Sequence, residues 1–476
     1  MEFKHVRGNV LILFDKVTQL PLLIAVVMAG LLTAKNFDPE ILISVLFLAL
    51  SPLWGIAKYV STYYTIEEGH LIVETGIVNK KRMEIPLRAI TTVDLSQNIL
   101  YQLFKTYRIK VDNASQTNDT VDKAEVRLAL KADKAFEFKR MLAQHAVPET
   151  SEAENTHEIR ASLQEFIKRG LLQSKITFFF AGGPIAVPVI GATAALATGS
   201  KNFNELMDRL FEGTSAGIAV FGLVAFFYLV ALGISLVKSL LTYYNFKISG
   251  STDTLKIEYG LLNKKKFTFQ KSRINGVLLK QNLFMRAFKY YTAEILVIGY
   301  GDRSDDEVQE QAILYPVASM RKIESIINKL LPEFQLKYTM HGPDRKAKRY
   351  FLYRPGFITA LLIFIAALFV KNVIFIALAG GILVIAAISV LLQYLNAGIF
   401  CGENNVVLSS GGYRKTVAII KTAGIESITA KGSISKRKKG IVSIKLGFVA
   451  PLRAANITAL NLPAEQYKIL EKVIKY

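Results

Sequence analysis

Six nearly continuous apolar stretches, at residues 17–34, 41–57, 176–199, 214–237, 355–370 and 373–392, carry no Asp, Glu, Lys, Arg or His. As helices rising 1.5 Å per residue they run roughly 25 to 36 Å, enough to cross a hydrocarbon core of ~30 Å. They also come in pairs. The links at 35–40, 200–213 and 371–372 are too short to hold a domain, so each pair is predicted to be an antiparallel hairpin with both ends on one side. Any single stretch would suit the core helix of a soluble protein, but six in pairs favour the membrane. The expectation is six transmembrane helices in three hairpins, with the intervening segments and both termini on one face.

The distribution of charge selects that face. Lys and Arg number 59 against 38 Asp and Glu, a net charge of +21. Such an excess suits nucleic acid, anionic lipid or the cytoplasmic loops of a membrane protein. The apolar stretches favour the lipid readings, and no nucleic-acid partner is expected. The short links hold only Lys35, Lys201, Arg209 and Lys371, whereas most remaining cations fall in 58–170, 239–348 and 393–476. The positive-inside rule therefore puts the large segments and the termini in the cytoplasm. Asp15 interrupts the first apolar run and no small-residue cleavage site follows a basic region, so no removable signal peptide is read.

The sequence also repeats itself. Gly76-Ile77-Val78-Asn79-Lys80-Lys81-Arg82 aligns without a gap to Gly260-Leu261-Leu262-Asn263-Lys264-Lys265-Lys266, an offset of 184. The same offset carries Ile90-Thr91-Thr92-Val93 onto Ile274-Asn275-Gly276-Val277, and Gln97-Asn98 onto Gln281-Asn282. A third copy runs from Gly411-Gly412-Tyr413-Arg414-Lys415 to Ile425-Glu426-Ser427-Ile428, offset by 151 from the second. It lacks the Gln-Asn pair and carries Lys436-Arg437-Lys438-Lys439 nearby. Within the first copy, β-branched and aromatic runs with period-two alternation predict strands near 63–66, 71–75, 81–85, 91–95, 107–112 and 125–129, closed by a helix over 133–143. Helices at 319–331 and 463–473 close the other copies. A curled antiparallel sheet plugged by one C-terminal helix is a pleckstrin-homology-like (PH-like) α+β plan.

Gly76-Ile77-Val78, Ile85-Pro86, the run from Ile90 to Gln97 and Leu103-Phe104 together resemble the bacterial PH domain of the YdbS/YdbT membrane protein family. With three such units the chain is similar to the longer, YdbT-like form. An arginine typical of that family just before the Ile is present as Arg273 but replaced by Ala89 and Gly424. The resemblance implies PH-like domains in the cytoplasm at a bacterial plasma membrane, a smaller single-PH-domain membrane protein as partner, and no enzymatic activity. The predicted organisation is an N-terminal interfacial segment and hairpin (1–57), a PH-like domain (58–150), an interfacial helix and hairpin (151–238), a second domain (239–335), a linker and hairpin (336–392) and a divergent third domain (393–476).

No cofactor or metal site is expected, because the five histidines and Cys401 show no ligand spacing and no nucleophile elbow occurs. Gly299-Tyr300-Gly301 lacks the third glycine of a phosphate loop. The apolar stretches hold no ionisable group, which argues against an ion-coupled transporter, and Gly182, Gly183, Pro184 and Pro188 read as a packing kink. Basic strand positions remain as candidates: Lys80, Lys81, Arg82, their equivalents Lys264, Lys265, Lys266, and Arg414 and Lys415. Near an anionic bilayer each adds ~1 kcal/mol of attraction. The plain alternative is that they set topology and solubility only. Segments 10–17 and 162–172 are amphipathic, the second opening with a Ser162/Glu165 capping box and expected to lie flat on the membrane. The leading function is a scaffold or adaptor binding a partner protein, a second copy or membrane lipids, in envelope maintenance or antimicrobial tolerance. A lipid or peptide transporter and a membrane enzyme are the alternatives.

A lone cysteine forms no internal disulfide, so Cys401→Ser is expected to leave expression and thermal unfolding unchanged. A loss of folded protein would show a role for the thiol.

Overall fold

A computed structural model describes residues 3, 5–15, 56–76, 79–113, 125–146, 157–173, 229–230, 232–298, 312–334, 336–353, 355–370, 373–448 and 455–474. The chain forms two compact units. The first comprises 1–158, 247–273 and 298–301, the second 159–246, 274–297 and 302–476.

In the first repeat the strands are β1 (Tyr63–Glu67), β2 (His70–Thr75), β3 (Lys81–Pro86), β4 (Ile90–Gln97), β5 (Thr106–Asn113) and β6 (Glu125–Lys131), followed by the helix Ala132–Ala146. These lie where the alternation placed them. That helix buries Ala135, Phe138 and Leu142, spaced for one face, against Leu71, Ile85, Ile109 and Leu128. Removing Phe138 to Ala would cost about 3–5 kcal/mol. After β7 (His157–Arg160), the second repeat supplies β8 (Lys247–Gly250), β9 (Thr254–Tyr259), β10 (Lys264–Gln270), β11 (Ile274–Gln281), β12 (Tyr290–Val297) and β13 (Ala312–Ser319). The third supplies β14 (Gly398–Cys401), β15 (Asn405–Ser410), β16 (Lys415–Lys421), β17 (Ile425–Lys431), β18 (Ile441–Phe448) and β19 (Ala455–Pro463).

One curled sheet per domain is not what these strands make. The order is β1-β2-β3 in one sheet, β6-β5-β4-β10-β9-β8-β7 in the next, β13-β12-β11-β16-β15-β14 in a third and β17-β18-β19 in the last. Each repeat thus breaks after its third strand, and its second half-sheet joins the first half-sheet of the following repeat. The 3₁₀ turns Leu87–Ala89, Lys271–Arg273 and Thr422–Gly424 mark the three breaks.

Six membrane-spanning helices are not borne out either. The first four apolar stretches fall almost entirely outside the described residues. Among the described residues, Ala379–Asn396 is the one helix long and apolar enough to cross. A second span arises only if Arg345–Leu352 and Gly356–Phe369, bent by 56° at their break, count as one. Pro355–Val370 by itself has 16 residues, about 24 Å, which falls short of ~30 Å. The described residues form nineteen strands in four sheets, and six helical spans are not among them.

The amphipathic helix Leu163–Gln173 has its predicted capping contact, Glu165 Oε2 accepting from the Ser162 N–H at 2.9 Å. It does not offer its whole apolar face to lipid, however. Phe166 is buried, Arg169 donates to the Pro316 carbonyl of β13, and the Ser239 hydroxyl donates to the Phe166 carbonyl at 3.0 Å. Leu163, Ile167 and Leu171 remain exposed. Glu165 also accepts from Tyr315 Oη at 2.7 Å and Lys322 Nζ at 2.6 Å. Burial raises the Glu165 pKa, but the bonds from Lys322, the Ser162 amide and Tyr315 outweigh it and hold the carboxyl below its ordinary range.

A carboxyl with a depressed folded pKa adds stability above its unfolded value of about 4.3, and that contribution is lost as pH falls through the folded value. Glu165→Gln is therefore expected to lower the urea midpoint of the detergent-solubilised protein at pH 7, by an amount that shrinks as the pH falls below about 4.

Candidate functional site

The repeated basic position follows one repeated turn. Gly76, Gly260 and Gly411 each adopt positive φ, between 107° and 120°, and a Cβ there would collide with the carbonyl oxygen of Asn79, Asn263 or Arg414. Glycine is required for that reason. The turn delivers the cations to the start of the third strand in every copy.

What the cations meet differs from copy to copy. Lys264, Lys265 and Lys266 face Gln97, Ser96 and Leu95 of β4 across a strand ladder. Lys266 Nζ lies 3.6 Å from Glu258 and 5.9 Å from the centre of the Phe136 ring. Gln102 Nε2 donates to the carbonyls of Leu261 and Leu262 at 3.0 and 2.9 Å, and Lys139 Nζ donates to Thr268 Oγ1 at 3.0 Å. Burial lowers the Lys139 pKa, while Asp94 opposes that shift. Lys415 faces Gln281 in the β16–β11 ladder, which runs on to Ile420 opposite Gly276. Its pKa is lowered by burial and by nearby Arg286. A Cβ on Gly276 would lie 2.8 Å from the Ile419 carbonyl, so glycine is what lets the two strands approach.

The two junctions share one register: Lys264 opposite Gln97 is equivalent to Lys415 opposite Gln281. Their buried residues include Leu95 on one side and Leu278, Leu279, Ala418 and Ile420 on the other. Leu278 and Leu296 of the second repeat belong to the core built around Ile444, Leu446 and Leu470 of the third. The glycine in the arginine's place in the third copy has its explanation here. Asn275 Nδ2 donates to the Gly424 carbonyl at 3.0 Å, and any Cβ at Gly424 would collide with the Asn275 side chain.

In the first copy the corresponding edge has no neighbouring strand among the described residues. β3 ends its sheet, with Lys81 and Arg82 exposed and paired inward to Thr75 and Glu74 of β2. Arg82 Nε lies 2.9 Å from Glu84 Oε1, an exposed ion pair worth ~1 kcal/mol at most. Arg82 also borders a cavity of about 330 Å³ with His5, Glu67 and Glu74 in its wall. At the far end β17 closes the last sheet with Glu426, Ser427, Thr429 and Lys431 exposed, where β4 and β11 are mostly buried.

The eight cations therefore do not converge on one site. Lys264–Lys266 and Lys415 serve joints between repeats, Arg414 is exposed in the turn before Lys415, and Lys80, Lys81 and Arg82 border an open edge. Gln97 and Gln281 act alike, each donating from Nε2 at 2.8 Å to the carbonyl of the next strand's first residue, Thr106 and Tyr290. Asn98 and Asn282 cap the short helices Ile99–Leu103 and Leu283–Ala287. The repeated Gln-Asn pair is thus structural. The joint itself was missed in the sequence, although the run Ile274 to Leu279 lacks a charged face and so signals a strand covered on both sides.

A tandem array of PH-like folds coupled through their sheet edges is the class this geometry defines. The chain belongs to the bacterial PH domain family, which it matches over residues 16–146, 214–332 and 358–473. Over 457 residues it is 23% identical to the UPF0699 transmembrane protein YdbT of Bacillus subtilis (strain 168), covering 93% of this chain and 90% of that protein. No solved structure matches it.

Because the first cluster borders an open edge and the second is built into a ladder, an amine-acylating reagent is expected to label Lys80 and Lys81 several-fold faster than Lys266. Peptide mass spectrometry of the folded chain measures the ratio, and equal rates would contradict the β4–β10 joint.

Proposed function

We infer that the chain is a non-enzymatic, membrane-anchored scaffold that recruits a protein partner by strand addition at its two open edges. One observation carries the reading: the same strand position joins first to second and second to third repeat in one register, leaving β3 and β17 without that neighbour among the described residues. Edge strands present unpaired N–H and C=O groups that a partner strand satisfies. Membrane anchoring is supported by the helix Ala379–Asn396, only 17% of which is buried, and by the YdbT relative's description as a transmembrane protein. A buried helix of a soluble core would be covered.

Continuing the register with the offsets of 184 and 151 puts Lys81 opposite Lys431 if β3 of one molecule meets β17 of another. Like charges directly opposite are destabilising. Self-association is thereby disfavoured, and the partner that suits β17 carries a neutral or acidic side chain opposite Lys431. A smaller single-PH-domain membrane protein is one such candidate. A photocrosslinking residue at Met83 or Thr429 is expected to capture a protein in the native membrane, while the same residue at Thr416, inside a joint, captures none. Absence of adducts at both edges would sink the reading.

Replacing Lys431 by Glu sets a carboxylate opposite Lys81 and is expected to move the detergent-solubilised chain from monomer towards head-to-tail oligomers. Light scattering after size-exclusion chromatography detects the shift, and high salt should weaken it.

A further inference from the structure

The linker before the helix Pro355–Val370 folds as two short helical turns, Arg345–Ala347 and Lys348–Leu352. Their inner face is fixed: Ala347 and Tyr350 pack on Ile441, and Phe351 packs on Val390 and Ala397. Tyr350 Oη lies 3.2 Å from the Ser435 carbonyl, and its ring receives Arg349 and Lys436 at 5.0 and 5.5 Å. Lys436 in turn donates to Asn461 Oδ1 at 2.8 Å. The linker and the turn between β17 and β18 are thus held together as one wall.

Between that wall and the helix Val373–Asn396 lies an open cavity of about 1000 Å³. Six cations border it: Arg345, Lys346, Lys348 and Arg349 from the linker, Lys438 and Lys439 from the turn. No acidic side chain lines it, and among the described residues none of the six has a carboxylate partner. Six uncompensated charges around one space repel one another. The opposite side is apolar. Ala387, Val390, Leu391 and Tyr394, spaced for a single helical face, come from the one described helix fit to cross a membrane. Tyr394 is near the end of that helix, where an aromatic with a polar tip suits the bilayer interface. A soluble anion would use the cations and leave the apolar wall unfilled, whereas an anionic phospholipid satisfies both, its phosphate against the cations and its upper acyl chain along the helix.

We propose that the cavity between the Arg345–Leu352 linker, the Lys438-Lys439 turn and the helix Val373–Asn396 binds one anionic phospholipid of the bilayer. This site is separate from the strand edges, and its occupancy fastens the third repeat to the membrane whether or not a protein partner joins β3 or β17.

The test uses the full chain in nonionic detergent, titrated with phosphatidylglycerol or phosphatidylcholine, with retained lipid counted by native mass spectrometry. One phosphatidylglycerol per chain is expected, held at least tenfold more tightly than phosphatidylcholine. Combining Lys348→Gln, Arg349→Gln, Lys438→Gln and Lys439→Gln should remove that preference, while Lys80→Gln, Lys81→Gln and Arg82→Gln together should leave it intact. Leu391→Trp keeps every charge and fills the apolar wall, so it should also weaken phosphatidylglycerol binding severalfold, which guards against misfolding of the fourfold variant. Equal retention of the two lipids, or unchanged preference in both cavity variants, would overturn the proposal. Displacement of phosphatidylglycerol by equimolar glycerol 3-phosphate would likewise overturn it, by showing a site for soluble anions.

Discussion

Pairing between the fourth strand of one repeat and the third strand of the next is the constraint on which the rest of this architecture depends. A half-sheet of three strands exposes backbone donors and acceptors on its edge, and leaving them unmet in a packed environment costs about 1–3 kcal/mol per group. The β4–β10 and β11–β16 ladders meet that demand inside the chain. They also let hydrophobic surface be shared, as where Leu278 and Leu296 complete the core of the third repeat. Because the joint works in one direction, three repeats leave one edge of each kind, β3 and β17, without a strand neighbour among the described residues.

This arrangement changes what the basic positions mean. A cation at the head of a third strand is a surface charge when the strand is an outer one, as for Lys81, and part of an internal joint when it is not, as for Lys266 and Lys415. The same local sequence therefore has two physical roles, set by the neighbour. Another cluster of cations lies around the linker Arg345–Leu352, where side chains far apart in sequence face one apolar helix.

Local pattern made several features legible. Period-two alternation located the strands of the first repeat and the closing helix after them, and the Ser162/Glu165 pair marked a helix start. Those signals depend on residues near one another in the chain. The partners of Glu165, Tyr315 and Lys322, were not legible, since they reach it across about 150 residues. Nor was the substitution of Gly424 for arginine, which is explained only by the Asn275 side chain occupying that place. Among the described residues apolar content overstated one span, because composition reports what lipid would tolerate and not helix length, and Pro355–Val370 has 16 residues.

The sequence by itself determined the repeat, its offsets of 184 and 151, the glycine at each turn and the family to which the chain belongs. These are local or periodic properties, written wherever a backbone angle or a strand face restricts the side chain. Tertiary structure alone decided which strands of different repeats pair, which edges stay open and which cations share a cavity. Strand pairing is made by backbone groups common to every residue, so the identity of a distant partner strand is not encoded in either strand separately but in how the folded surfaces meet.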